Sequence, residues 1–269
     1  MLLALDIGNT NIKIGVFADD PGDDPYTSAA AWRINTERGR TADEYGLMTS
    51  NMLPTRGLDA RDVTSVAMCS GVPSLTSAFV EVSETYFGQS PLVVGAGVKT
   101  GIRILYDNPR DVGADRIVDA AAALKLYGRP AIVVDFGTGT VFDARPRRDI
   151  RIAPVYTSRR AHSTRRRHSF VTSSWSGPLR QSGVIPSMRC SRGWCWDTPR
   201  WLREWSRDST ASWARRVEGH RDGGPAHLIA EEEERERRTG GNGHISDVVN
   251  DNLTMAGLKI IHEMNVPGR

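Results

Sequence analysis

Two short turns constrain the fold of this chain more than any other feature. Asp6-Ile7-Gly8-Asn9-Thr10-Asn11-Ile12-Lys13 follows the apolar run Leu2-Leu3-Ala4-Leu5, and Asp135-Phe136-Gly137-Thr138-Gly139-Thr140 follows Ala131-Ile132-Val133-Val134. Each sets an acid, a glycine and a threonine at the end of a strand-like run. Such a turn presents backbone N–H groups, a hydroxyl and a carboxylate together, a combination that suits a nucleotide phosphate and a hydrated cation. One copy would say little. Two copies, each at a strand end, predict two related halves closing on a phosphate chain.

The surrounding pattern is that of an α/β protein. Residues 2–17 read as a hairpin, with Leu3, Leu5 and Ile7 on one arm and Ile12, Ile14 and Val16 on the other. Residues 30–34 predict a third strand. Thr41-Ala42-Asp43-Glu44 opens a helix running to Met52, with Thr41 as N-cap and Glu44 completing a capping box. A buried strand from Val63 to Ser70, a helix over 74–87 and a strand over 91–94 follow. Val112-Gly113-Ala114-Asp115-Arg116 leads into an alanine-rich helix, Ile117–Tyr127, closed by Gly128. Near the end, Leu253, Leu258, Ile261 and Met264 mark the apolar face of a helix over Asn252–Asn265. Strands alternating with helices in this way argue for the α/β class.

These motifs in this order resemble the type III pantothenate kinases, within the acetate and sugar kinase/Hsp70/actin superfamily. The segments that carry the resemblance are DIGNTNIKIGVF, YDNPRDVGADRIVDAAAALKLYG and AIVVDFGTGTVFDA, over residues 1–143. It resumes over roughly 223–265, in GGPAHLIAEE and DVVNDNLTMAGLKIIHEMN. The GADR segment, Gly113 to Arg116, separates this family from the rest of the superfamily. The resemblance implies two ribonuclease H-like (actin-like ATPase) domains with a cleft between them, over 1–112 and 113–269. It implies ATP-dependent phosphorylation of pantothenate, the first step toward coenzyme A, in a cytoplasmic homodimer. Asp6, Ile7, Gly8, Asn9, Thr10, Asn11, Ile12 and Lys13 would form the first ATP loop, with Asp6 near a magnesium ion, and Thr138 would also touch ATP. Tyr106, Gly113, Ala114, Asp115 and Arg116 would line the pantothenate site, with Asp115 as the base that takes the hydroxyl proton. Asp135 would bind a monovalent cation, potassium or ammonium. Arg116 could pair with the pantothenate carboxylate through a planar fork.

Taken singly, each of these residues also has a plain structural role. Asp115 at a helix start is a first-turn acid favoured by the helix dipole. Asp6 and Asp135 read as strand-end turn residues, Arg116 as a solvated charge, and Tyr106 as packing at a turn. It is their joint occurrence in order that carries the functional reading.

The net charge of +3 conceals a break in composition. Between Ala144 and Asp222 there are eighteen arginines, six acids and no lysine, together with six of the seven tryptophans and two of the three cysteines. As a nucleic-acid-binding arm, this stretch would offer arginine to phosphates and tryptophan to bases. That gives the runner-up function, a non-catalytic actin-like ATP-binding regulatory module with a basic arm. A disordered linker would instead carry lysine and few tryptophans.

The third reading is a shifted reading frame. Joining the third base of one codon to the first two of the next, Val155 to Phe170 can encode IHIAARALDAPAALL, and Gln181 to Thr198 can encode IGRNTVDAMQSGLVLGY. Both look like segments the family should have here. Some matches are forced by the code: Trp194-Cys195 must give Val, and Trp196-Asp197 must give Gly. In the remaining frame, Glu218 to Pro225 can read KVIATGG. On this reading the arginines are no evidence for nucleic acid, His162 and His168 are not ligands, and Cys190 with Cys195 is not a zinc site. The stretch also lacks the family's glycine-rich segment and a substrate-touching threonine, so the chain as written is expected to be inactive.

The remaining composition narrows the class. No apolar run reaches the roughly 18 residues of a membrane span, and the start reads as a strand rather than a signal peptide. Three cysteines without metal-ligand spacing fit a reducing compartment. No membrane and no nucleic-acid partner are expected.

Overall fold

The computed structural model describes residues 1–104 apart from 21 and 23, and residues 112–128, 131–136, 140–145, 214–218 and 250–266. Tyr106 and Thr138 lie outside the described residues, as do nearly all of 145–222.

Strand β1, Leu2–Ile7, is the centre of the first sheet. It pairs antiparallel with β2, Asn11–Phe17, and parallel with β4, Ser65–Ser70. Adding β3, Ala30–Asn35, and the short β5, Leu92–Val93, gives the order β3-β2-β1-β4-β5. The near-continuous apolar run of β1 is explained by burial on both faces, the rule for a central strand with helices on each side.

One face is covered by α1, Ala42–Met52, and α2, Pro73–Phe87. Leu3, Leu5, Ile7, Ile12, Ile14 and Val16, the residues expected to line the hairpin, pack there with Tyr45 and Phe79. The expected capping box sets the start of α1: Thr41 Oγ1 accepts from the Glu44 N–H at 3.2 Å, and the Glu44 carboxylate accepts from the Thr41 N–H at 2.8 Å. Gly46 permits the close approach of α2, because a Cβ there would overlap the Tyr86 ring.

The other face is covered by α3, Ala114–Tyr127, and α4, Leu253–Asn265. Leu2, Ala4, Phe17, Ala67 and Cys69 meet Val118, Ala121, Met255, Leu258 and Ile261 in a second core. Small residues set its geometry. The run Ala120–Ala123 is buried on α3, and a Cβ on Gly257 of α4 would collide with the Val118 carbonyl. The expected apolar face of α4 needs correcting. Leu253, Leu258 and Ile261 are buried as predicted, but Met264 is exposed and Thr254, Met255, Ala256 and Ile260 are buried instead. A helix packed against both α3 and the sheet has little solvent face, so a one-stripe pattern understates its contacts.

After α3 comes a second hairpin, β6, Ala131–Phe136, and β7, Thr140–Arg145. A third strand, β8, Ala214–Glu218, lies parallel to β6. Sequence reasoning gave no strand in this part of the arginine-rich stretch. The order β7-β6-β8 repeats that of β2-β1-β4, with one antiparallel and one parallel neighbour around a central strand. Asp6 and Asp135 each occupy the fifth of six positions in their strands.

Candidate functional site

The β1–β2 turn is closed by the Gly8 N–H donating to the Asn11 carbonyl at 3.0 Å. A Cβ on Gly8 would lie 2.8 Å from that same oxygen, so the turn requires glycine. Its carbonyls are drawn into the protein. The Ile7 carbonyl accepts from Gly71 N–H at 2.9 Å, the Gly8 carbonyl from Thr36 Oγ1 at 2.7 Å, and the Thr10 carbonyl from Thr36 N–H at 2.9 Å. In a trans peptide the N–H points opposite to its carbonyl, so the Asn9 N–H is directed away from Thr36.

Asp6 precedes the turn, and the sheet register sets Lys13 of β2 and Cys69 of β4 directly beside it. Neighbours across a ladder share a face, so the three side chains form a polar row on the side of the sheet toward α3. Lys13 Nζ lies 4.0 Å from an Asp6 carboxylate oxygen, and the Cys69 thiol donates to the other at 3.5 Å. The two charged side chains are only 17% and 14% exposed, so solvent screens the pair weakly.

Burial raises the pKa of the Asp6 carboxyl above 3.8, and the negative charge of Asp115 adds to the rise. Lys13 and the thiol hydrogen bond oppose it without cancelling it. Burial, with the fields of Asp6, Asp115 and Asp119, pushes the Cys69 thiol well above its ordinary range, so it remains a protonated donor.

Asp115 sits in the first turn of α3, where its carboxylate accepts from the Arg116 N–H at 2.8 Å. Gly113, at the N-cap position, leaves that carboxylate its place, because a Cβ there would overlap the oxygen and turn the acid aside. The first and third residues of GADR are thereby coupled: the glycine lets the acid fold back on the helix start. Ala114 packs against the second core, and Arg116 is half-buried.

The structure thus brings Asp6, Lys13 and the Asp115 helix start into one neighbourhood. Of the second turn, Asp135 lies opposite Val141 of β7 and Glu218 of β8 in backbone register. Sequence reasoning missed Asp119, which is buried one helical turn after Asp115 and whose charge reaches Cys69. The four-residue spacing from Asp115 was the available signal. It also missed Cys69, whose place depends on a parallel pairing that no local pattern reveals.

Among the described residues, no three His, Cys, Asp or Glu side chains come together as a metal site. No described helix is long and apolar enough to cross a membrane.

Comparison with known proteins agrees with the motifs. The sequence profile of the type III pantothenate kinases matches residues 2–147. A type III pantothenate kinase of Moorella thermoacetica is 49% identical over 144 residues, covering 54% of this chain and 54% of its own length. The corresponding protein of Myxococcus xanthus gives the same figures. In these matches the chain spans about half the length of its curated relatives. A type III pantothenate kinase of Dehalococcoides mccartyi is 35% identical over 268 residues, covering 98% of this chain and 96% of its own length.

Proposed function

The chain belongs to the type III pantothenate kinase family, and on that premise we propose that its encoded activity is transfer of the ATP γ-phosphoryl group to the primary hydroxyl of pantothenate. The observation that carries this reading is the approach of two carboxylates from different elements. Asp115 at the start of α3 lies close enough to Asp6, at the end of β1, to raise its pKa. Phosphoryl transfer asks for positioning, charge neutralisation and an acceptor for the nucleophile's proton.

In the proposed step, the pantothenate hydroxyl oxygen bonds to the γ-phosphorus as the bond to the β–γ bridging oxygen breaks. ADP leaves, and the hydroxyl proton passes to Asp115. The backbone of the Gly8–Thr10 turn holds phosphate oxygens, and Lys13 balances charge beside Asp6. Arg116 pairs with the pantothenate carboxylate.

Asp6, with the charge of Asp115 close by and only partly offset by Lys13, would hold a hydrated magnesium ion. Such an ion would supply charge neutralisation on the phosphates. The roles of Tyr106, Thr138 and a monovalent cation at Asp135 rest on the family resemblance. So do the two-domain division at 112/113, the homodimer and a cytoplasmic location.

The frame shift belongs to the same proposal. The profile match ends at residue 147, beside the break in composition after Ala144, whereas the Dehalococcoides mccartyi relative aligns over 98% of the chain. The test assays the chain as written beside one whose codons over 145–222 are returned to the family frame. We expect pantothenate-dependent ADP release only from the restored chain. Asp115→Asn in that chain should lower the rate about 10²–10⁴-fold. Activity of the chain as written would overturn the frame inference. A restored, folded chain that ignores pantothenate would overturn the kinase reading.

A further inference from the structure

We propose that Arg38 is an additional phosphate-binding residue of the nucleotide site, an inference that rests on the kinase reading above. The segment following β3 is fastened to the first phosphate turn residue by residue. Thr36 holds the Gly8 and Thr10 carbonyls through its hydroxyl and its N–H, at 2.7 and 2.9 Å. Two residues on, Arg38 Nη2 donates to the Asn9 side-chain oxygen at 2.9 Å. Each of the three turn residues is therefore tied to the segment 36–38, and the guanidinium is anchored at the turn rather than free to sweep the surface.

Charge gives the anchored cation a purpose. Lys13 is already committed to Asp6, and Asp115 and Asp119 add negative charge on the facing helix. A polyphosphate arriving at this turn needs positive charge that the strand interior does not provide. Arg38 is exposed, and a guanidinium carries five donors in a planar fork that matches phosphate oxygens. The bond to Asn9 fixes the orientation of that fork.

Arg40, two residues along, behaves differently. Its guanidinium lies over the Tyr45 ring at 5.9 Å and donates to the Met48 sulfur at 3.5 Å. The same short segment thus sends one arginine to pack on α1 and the other to the phosphate turn.

The test uses the full chain as written, with inorganic tripolyphosphate as probe and calorimetric titration as readout. Arg38→Ala should weaken binding about tenfold, the expected effect of losing one charge-assisted contact. Arg38→Lys should recover part of this, because charge returns without the fork. Asn9→Ala, which keeps the cation but removes its anchor, should fall between. Arg40→Ala should bind within about twofold of the parent, and all variants should keep the parent's melting temperature.

Unchanged binding in Arg38→Ala would overturn the proposal, as would an equal loss in Arg40→Ala or a parent chain that does not bind tripolyphosphate. The kinase reading fails separately. A restored chain that binds tripolyphosphate through Arg38 but shows no pantothenate-dependent ADP release would sink that reading and leave this one standing.

Discussion

On one face of the first sheet, Leu3, Leu5 and Ile7 of β1 meet Tyr45 and Phe79 of α1 and α2. On the other, the alternate residues begin as Leu2 and Ala4 and end as Asp6. The same strands supply both faces, yet the first is apolar to its end and the second turns polar at the phosphate turn. Side-chain size accounts for much of the difference. The first face is filled by large residues, with the Tyr45 and Phe79 rings 4.8 Å apart. The second uses Ala4, Ala67 and Ala121 between the sheet and α3, and Gly257 where α4 meets α3, so that α3 brings Asp115 and Asp119 toward Asp6 and Cys69. Close packing there serves to position charge.

If the faces divide their roles this way, damage to the first should reduce stability and leave the site chemistry intact. Phe79 is fully buried, and Phe79→Ala removes its contacts with Tyr45. The expected loss is about 3–5 kcal/mol, read from the urea midpoint. The frame-restored chain should keep its turnover per folded molecule. A lowered turnover at full folding would break the division.

The second face can be probed at Gly257. A methyl group there meets the Val118 backbone, so the helices must separate, at about 1–3 kcal/mol. Because α3 carries Asp115, Gly257→Ala should also disturb the site. Cys69, buried in the parent, should then react faster with a thiol reagent under native conditions. Equal Cys69 labelling in parent and variant would show that α3 moves independently of the sheet.

What the sequence reveals differs between the faces for the same reason. The hairpin, the Thr41–Glu44 capping box and the helix ends at Gly88 and Gly128 are set by residues close together in the chain, and they can be read directly. Asp6 and the GADR segment are legible through their neighbours. The Lys13–Asp6–Cys69 row is not, because it needs the parallel pairing of β1 with β4, sixty-three residues apart at Asp6 and Cys69. The wrapping of α4 is hidden too: Gly257 and Ala256 carry no apolar signal, although their smallness is what the contact uses. Arg38 and Arg40 look alike in sequence, and only the fold separates their roles.

The smallest effect expected is also the one that sets the two faces most directly against each other. Asp6 has its pKa raised in the folded chain, chiefly by burial and next by Asp115, while in the unfolded chain it titrates in the ordinary range. Between those two values the folded state binds more protons than the unfolded one, so stability falls as pH rises through that window. Above it the carboxylate is charged in both states, and the full penalty of holding it in place is present. Asp6→Asn should therefore raise the melting temperature at neutral pH. The advantage should shrink as pH falls through the raised value and vanish below about pH 4, where both states of the parent are protonated. The same variant should lose activity in the frame-restored chain, the trade expected where a site holds charge at the expense of stability. A lower melting temperature for Asp6→Asn at neutral pH would mean that the Lys13 pairing outweighs burial. The polar row would then stabilise the sheet, and the contrast between its two faces would be one of composition alone.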